Sequence, residues 1–290
     1  MAQNKELSFL HEHITPTPNK EILFEYSKDE GYFISNHWHN SMEIIYIISG
    51  ALEVQIEGNT RLYTSESIAL INSRLIHATK CTKETETLLI QIPYTFLKKY
   101  IPDINSIYFN FDFFTKEREK QKKIGEIKKL LKEMLHLVNE QPNGEQLHFN
   151  AMLFQLLGIL YDDFKKEQIV SEIKKHGKNL TRLEPVLEYT NQHYTEPISL
   201  SEIASVISLQ TEYFCRFFKR NMGITYLQYL NEIRLSHIYN DLLTTDIPLS
   251  HLLEIHGFLN YKLFRKMFYE KFGSTPGTMR KNRAIKSELN

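Results

Sequence analysis

An α+β fold in two parts is the architecture this sequence predicts, and two observations carry it. Residues 21–93 break into short β-type runs separated by turn signals, the pattern of a β-sandwich or barrel. Residues 200–280 read as one helix-turn-helix unit written twice, about 50 residues apart. At 290 residues there is chain enough for two cores, and 42% hydrophobic with 24% charged residues is ordinary for a soluble globular protein. No apolar run approaches the ~18 residues of a membrane span. The first residues, Met1 to Glu6, carry no apolar signal-peptide core, so a cytoplasmic protein is expected. Cys81 and Cys215 fall in different predicted parts, which argues against a structural disulfide.

The β-type runs are Ile22 to Tyr26, Tyr32 to Asn36, Ile44 to Ser49, Leu52 to Ile56, Arg61 to Tyr63, Ile68 to Ile71 and Thr87 to Ile92. Gly31, Gly50 and Gly58-Asn59 punctuate them. Among them lies a cluster with metal-ligand character: His37, His39 and Glu43, with His77 on a later segment. Residues two apart on a strand face the same side, so His37 and His39 both point inward, and Glu43 re-enters after a short turn. Neutral imidazoles with a carboxylate suit a divalent transition metal. A polar ligand pocket and a set of hydrogen-bonded structural histidines are the other readings of the same four residues. Trp38 and Tyr46 have rings that can stack on a sugar, but the alternation turns both away from the interior, toward packing.

Tyr108 to Phe114 is a dense aromatic patch expected to pack on the β-domain. From Lys116 an amphipathic helix carries Ile124, Ile127, Leu131, Met134, Leu135 and Val138 on one stripe, and Gln141 to Gly144 breaks it. A second helix from Glu145 carries Met152, Leu153, Leu156, Leu157, Leu160 and Phe164. These stripes close either on the β-domain or on a second subunit. The Lys-rich face from Lys116 to Lys129 reads as solvated. Residues 165–180 are polar and read as a linker, dividing a first domain, 1–164, from a second, 181–290. The second domain opens with a helix from Thr181 to about His193, and Ser199 with Glu202 forms a capping box for the helix that follows.

In the first unit a helix from Leu200 is followed by a turn near Ser208 and a second helix ending before Gly223. The second unit opens at Leu249, turns at Gly257-Phe258 and closes at Gly273. A helix-turn-helix sets its second helix in the DNA major groove, and two such units reach grooves one helical turn apart, roughly 34 Å. The basic side chains fall there: Arg216, Lys219 and Arg220 in the first unit, Lys262, Arg265, Lys266 and Lys271 in the second. Phe214, Phe218, Phe264 and Phe268, at four-residue spacing, are core residues in this reading and in the competing one, a plain helical bundle. Residues 181–290 carry 13 Lys/Arg and 11 Asp/Glu, so affinity for DNA must come from where basic groups sit rather than from their number.

Leu200, Ile203-Ala204, Phe214, Phe218-Lys219, Gly223, Thr225, Arg234-Leu235, Gly257-Phe258, Phe264, Phe268, Gly273, Thr275-Pro276 and Arg280 together resemble the DNA-binding domain of AraC/XylS-type transcription regulators. Departures are Ser208, where that family usually has Gly, and Ile238 and Leu253, where it usually has Ala. The resemblance implies a DNA-reading face of Glu212, Cys215, Arg216, Lys219 and Arg220 in the first unit and Tyr261, Lys262, Arg265 and Lys266 in the second. Gly31, His37, His39, Glu43 and Gly50 resemble the first cupin motif, and His77 matches the histidine of the second. Glu66, Asn72, Arg74 and Cys81 stand where that second motif commonly has Gly, Pro, Gly and Asn.

Together the resemblances imply a regulator, not an enzyme, that binds double-stranded DNA and a small-molecule effector such as a carbohydrate. They also imply a homodimer formed through the central helices, and RNA polymerase as a further candidate partner. The competing expectation is a metal-dependent cupin enzyme with a DNA-binding tail, its divalent transition metal held by His37, His39, Glu43 and His77.

Overall fold

The computed structural model describes residues 17–281 except 19, 30, 82, 168 and 169, with no side-chain description for 170–181. The Met1 to Glu6 stretch and part of the expected linker lie outside the described residues. The β-domain contains β1 (Leu23–Asp29), β2 (Tyr32–His37), β3 (Met42–Ser49), β4 (Ala51–Ile56), β5 (Asn59–Thr64), β6 (Ile68–Ile71), β7 (His77–Cys81) and β8 (Thr85–Ile92). These pair antiparallel as two four-stranded sheets, β1-β8-β3-β6 and β2-β7-β4-β5, so the architecture is a sandwich rather than one continuous barrel. Between the sheets, Ile45, Ile47, Ala69 and Ile71 of the first meet Leu52, Val54, Tyr63 and Cys81 of the second.

β3 reads Ile44-Ile45-Tyr46-Ile47-Ile48 without alternation because the first sheet is covered on both faces. Its other face, with Ile44, Tyr46, Leu70, Leu88 and Ile90, packs on α2 (Arg118–Glu140) and α3 (Glu145–Ile159). The expected stripe supplies that contact: Ile124, Ile127, Leu131 and Met134 are fully buried, each worth about 1.5–3 kcal/mol. Before them come α1 (Tyr94–Tyr100), a 3-10 turn (Ile104–Ser106) and β9 (Ile107–Phe109). The π-helical segment Leu160–Phe164 then leads into β10 (Lys165–Glu167), which pairs with β9. The stretch expected as a linker thus holds β10 and the start of α4 (Val170–His193), a helix that begins 11 residues earlier than the sequence suggested.

The second domain is α4, α5 (Leu200–Val206), α6 (Thr211–Met222), α7 (Tyr226–Thr244), α8 (Leu249–Ile255) and α9 (Tyr261–Phe272). α5–α6 and α8–α9 are the two helix-turn-helix units, and α7 joins them. Its first half, with Tyr226, Tyr229 and Ile233, packs on Phe214, Phe217 and Phe218 of α6. Its second half, with Leu235, Ile238 and Leu242, packs on Phe264 and Phe268 of α9 and accommodates the larger Leu253. The capping box at Ser199 and Glu202 is present, and Thr225 with Gln228 forms a second on α7. Gly223 and Gly273 end the two recognition helices at φ 75° and 63°. His237 of α7 lies against Tyr194 and His256, ring centroids 4.3 and 5.6 Å away. Burial, then the neighbouring His256, lowers its imidazole to about 4, so it stays neutral.

Three positions where glycine was expected hold other residues, and all three keep the left-handed backbone: Glu66 at φ 68°, Arg74 at 65° and Ser208 at 53°. Glu66 has a reason to be there, since it accepts from Tyr46 at 2.8 Å and pairs with Lys132 of α2 at 2.8 Å. Ser208 is exposed. In the second unit the equivalent Gly257 is obligatory, because a Cβ there would sit 2.1 Å from the Thr195 carbonyl oxygen. Ser208→Gly should therefore raise stability by ~0.5–1 kcal/mol, relieved strain outweighing added unfolded-state freedom. Denaturant titration measures it, and an unchanged or lower midpoint would refute the strain.

Candidate functional site

The four expected metal-type residues meet between the sheets. β2 slips register against β7 between Ile34 and His37, and this bulge brings His37 opposite His77. His39 follows in the loop, Glu43 enters with β3, and Gln91 arrives from β8. Exposure of the four expected residues is 9% or less. The Glu43 Oε2 oxygen lies 2.9 Å from His39 Nε2 and 3.6 Å from His77 Nε2, and it accepts from Gln91 Nε2 at 3.1 Å.

The outer ring nitrogens fix the tautomers. The Nδ1 atoms of His37, His39 and His77 lie 2.9–3.0 Å from the carbonyl oxygens of Ser35, Ser41 and Leu75. A carbonyl only accepts, so each Nδ1 carries its proton and donates. In the neutral rings each Nε2 is then a lone pair. His37 is such a ring: burial, then His77 and His39, hold it well below its usual range. Burial alone would raise the Glu43 carboxyl, but His39 at hydrogen-bond distance, with the His77 ring beside it, holds it well below the carboxylate range.

One ligand atom from each histidine lies within 4.8 Å of the others. Buried His77 Nε2 has no hydrogen-bond partner. Two acceptors 2.9 Å apart, His39 Nε2 and Glu43 Oε2, need a proton or a cation between them. Three nitrogens and a carboxylate, with carbonyls orienting the rings from behind, fit a divalent transition metal. The rings lie 4.1–5.8 Å apart between centroids. Such spacing suits an ion and leaves no space for a sugar.

Gln91 was missed from the sequence, although the expected strand Thr87 to Ile92 puts Thr87, Leu89 and Gln91 on one face. Trp38 and Tyr46 face away from the cluster as expected. Tyr46 packs toward α2, whereas Trp38 enters the core of the other domain beside Leu183, Val186 and Phe217.

On the helical domain, Glu212, Arg216, Lys219 and Arg220 of α6 are exposed and Cys215 is half-buried. Tyr261, Lys262, Arg265 and Lys266 of α9 are exposed, with the Arg265 guanidinium 6.0 Å from the Tyr261 ring. Arg216, Lys219, Arg220, Lys262 and Arg265 make no ion pair with a described acidic group, whereas Lys266 reaches Glu270 at 3.8 Å. Exposed Tyr269 borders the same surface and was not foreseen. Lys271 is a correction: it pairs with Glu232 at 2.8 Å and lies over the Phe33 ring, 4.2 Å from its centre, turned toward the β-domain. Two motif arginines also serve the fold. Arg234 donates to the Tyr194 and Glu196 carbonyls, and Arg280 to that of Ile247.

These features define a class: a ligand-binding type of β-domain joined to a tandem helix-turn-helix that presents two basic faces. An AraC-like ligand binding domain family matches residues 20–157, and a helix-turn-helix domain family matches residues 203–282. The chain belongs to the AraC-type transcription regulators. Among curated relatives, an uncharacterized HTH-type transcriptional regulator of Staphylococcus aureus (strain COL) is 21% identical over 253 residues, 86% of this chain and 32% of that protein. The chain thus spans about a third of that relative's length. "Probable transcriptional regulator LumQ" of Photobacterium leiognathi is 23% identical over 241 residues, 83% of this chain and 89% of that protein. Among solved structures, ToxT from Vibrio cholerae O395 aligns over 90% of this chain and 97% of its own, at 13% identity and a TM-score of 0.48.

If the cluster is a metal site, metal-depleted protein given Zn²⁺ or Mn²⁺ will take up about one ion per chain, and His77→Ala will lose it. Elemental analysis after desalting reads this directly, and a wild type that stays metal-free would leave the histidines structural.

Proposed function

We propose that the protein is a transcription regulator that binds specific double-stranded DNA through α6 and α9 and responds to a small molecule bound by its β-domain. The observation that carries this is the pair of exposed basic faces on the second helices of both units, fixed to each other by the buried helix α7. Arg216 and Arg265 are assigned to guanine edges, Glu212 to a cytosine amino group, and Lys219, Lys262 and Lys266 to phosphates. Cys215, Arg220 and Tyr261 complete the face. The packed histidines argue against a carbohydrate at that cluster, so we assign it an ion and place the effector elsewhere in the β-domain. A metal-dependent enzyme would need a substrate path to these buried residues. A cytoplasmic location fits this role; among the described residues no helix is long and apolar enough to cross a membrane. RNA polymerase would be a partner where the outcome is activation.

The working form is assigned as a homodimer through α3. Its inner side covers the β-domain, while Leu147 and Phe154, 76% and 40% exposed, lie on the outer side with exposed Ala151 and Gly158 at helical spacing. Tyr100 extends the apolar strip, its ring 4.7 Å from that of Phe154. Leu147→Glu with Phe154→Glu should yield monomers in sedimentation with little change in melting temperature, since both side chains are exposed. A variant that still sediments as a dimer would remove α3 from the interface.

The regulator reading is tested by selecting genomic fragments on the purified protein and footprinting the winner. Two adjacent protected major-groove segments are expected. Arg216→Ala should cost about 1–3 kcal/mol on that site and far less on random DNA. Equal losses on both would reduce Arg216 to a backbone contact, and no enrichment at low salt would overturn the reading.

A further inference from the structure

A cavity lies not at the histidines but beside them, bounded by the β6–β7 turn, α1 and the segment around β9. Its volume is about 400 Å³, within the range of small-molecule sites. Met42, Leu70, Leu97 and Ile107 give it an apolar floor, and all four are buried. Its wall carries Arg74 and Tyr94.

The geometry points to this cleft as a binding site for an organic carboxylate with an apolar body, Arg74 receiving the carboxylate. The guanidinium donates through Nε to Asn40 Oδ1 at 2.9 Å and lies 5.3 Å from the Tyr94 ring centre. No described acidic group pairs with it, so four of its five N–H donors remain for a ligand or water. A planar fork of this kind matches a carboxylate through two parallel bonds. Glu57, the other charged residue of the lining, is exposed and sits at the rim. Arg74 is also held at φ 65°, a left-handed backbone that glycine would adopt without strain. A long cationic side chain kept there suggests a use beyond packing.

Two of the oxygens next to it are engaged elsewhere. Asn72 bonds the Phe109 backbone through both ends of its side chain, and Asn105 accepts from the Tyr94 hydroxyl. A carboxylate on an apolar chain or ring matches both the free guanidinium and the floor. The same turn supports the cluster: the Arg74 amide donates to the His39 carbonyl at 2.9 Å, and the Leu75 carbonyl accepts from His77 at 2.9 Å. A ligand on Arg74 thus pulls on the turn that orients two of the three histidines. This consequence for DNA rests on the regulator reading; binding in the cleft does not.

Calorimetry with hexanoate and phenylacetate, each against its neutral amide, tests the site on the full-length protein. At least one acid should bind, with its amide tenfold or more weaker. Arg74→Gln should weaken the acid more than tenfold, and Tyr94→Ala severalfold, both variants being checked for native circular dichroism. Equal binding of acid and amide, undiminished binding by a folded Arg74→Gln variant, or binding of neither acid overturns the proposal. Should Arg74→Gln fail to fold, the acid–amide difference and Tyr94→Ala decide it. DNA selection by unliganded protein is read separately, so loss of the cleft and loss of the regulator reading are distinguishable.

Discussion

Strand β2 is the edge of its sheet, and the joining of the two halves depends on how that edge is covered. An open edge offers unpaired backbone groups to any other strand. Here the helix-turn-helix domain covers it. The Ser236 hydroxyl of α7 donates to the Phe33 carbonyl at 2.7 Å, and the Asn36 amide donates to the Met222 carbonyl, at the end of α6, at 3.3 Å. Phe33 packs in the α7–α9 core and Trp38 in the α4–α6 core. Gly31 is required at this junction, since at φ 146° a Cβ would stand 2.4 Å from the Tyr239 hydroxyl. A buried carbonyl stripped of its donor costs about 1–3 kcal/mol, and exposing a phenylalanine and a tryptophan costs more. The domains therefore have a preferred seat on each other.

Much of this fold was legible because its signals are local. Each helix-turn-helix unit carries its own start and stop, with Ser199 and Glu202 opening one helix and Gly223 and Gly273 closing two others. The two stripes that cover the sheet follow from spacing alone. β7 was not legible, because His77-Ala-Thr-Lys-Cys81 has no run of branched or aromatic side chains and becomes a strand by lying between β2 and β4. Nor was the start of α4, where Val170 and Ile173 stand among polar residues without a continuing apolar stripe. The pairing of β9 with β10 joins residues 107–109 to 165–167, a contact that no local pattern encodes.

The site divides the same way. His37, His39 and Glu43 sit within one short stretch, so alternation was enough to aim them together. Gln91 reaches Glu43 only through the β3–β8 register, where the two residues are directly opposed. Lys271 shared the composition of a DNA-facing residue but not its direction, because Glu232 and the Phe33 ring hold it on the other side of α9. Arg234 and Arg280 show that a motif position can be spent on loop carbonyls. Where glycine was replaced, the backbone did not change: Glu66 and Arg74 keep the left-handed conformation and add a side chain that makes a contact glycine cannot.

The arrangement of β2 also sets how a signal can pass. His37 at the end of β2 and His39 in the loop beyond it enter the cluster, while Trp38 between them enters the core of the helix-turn-helix domain. The bulge between Ile34 and His37 sets that phase, and moving it by one residue would exchange the two sets. Whatever occupies the cluster or its supporting turn therefore acts on the backbone that carries Trp38 and Asn36, and through Asn36 on the end of α6. Direct contact is not by itself coupling. An effector changes DNA binding only to the extent that it binds one arrangement of β2 and α7 more tightly than another. An effector binding both arrangements equally would leave DNA occupancy unchanged however tightly it bound.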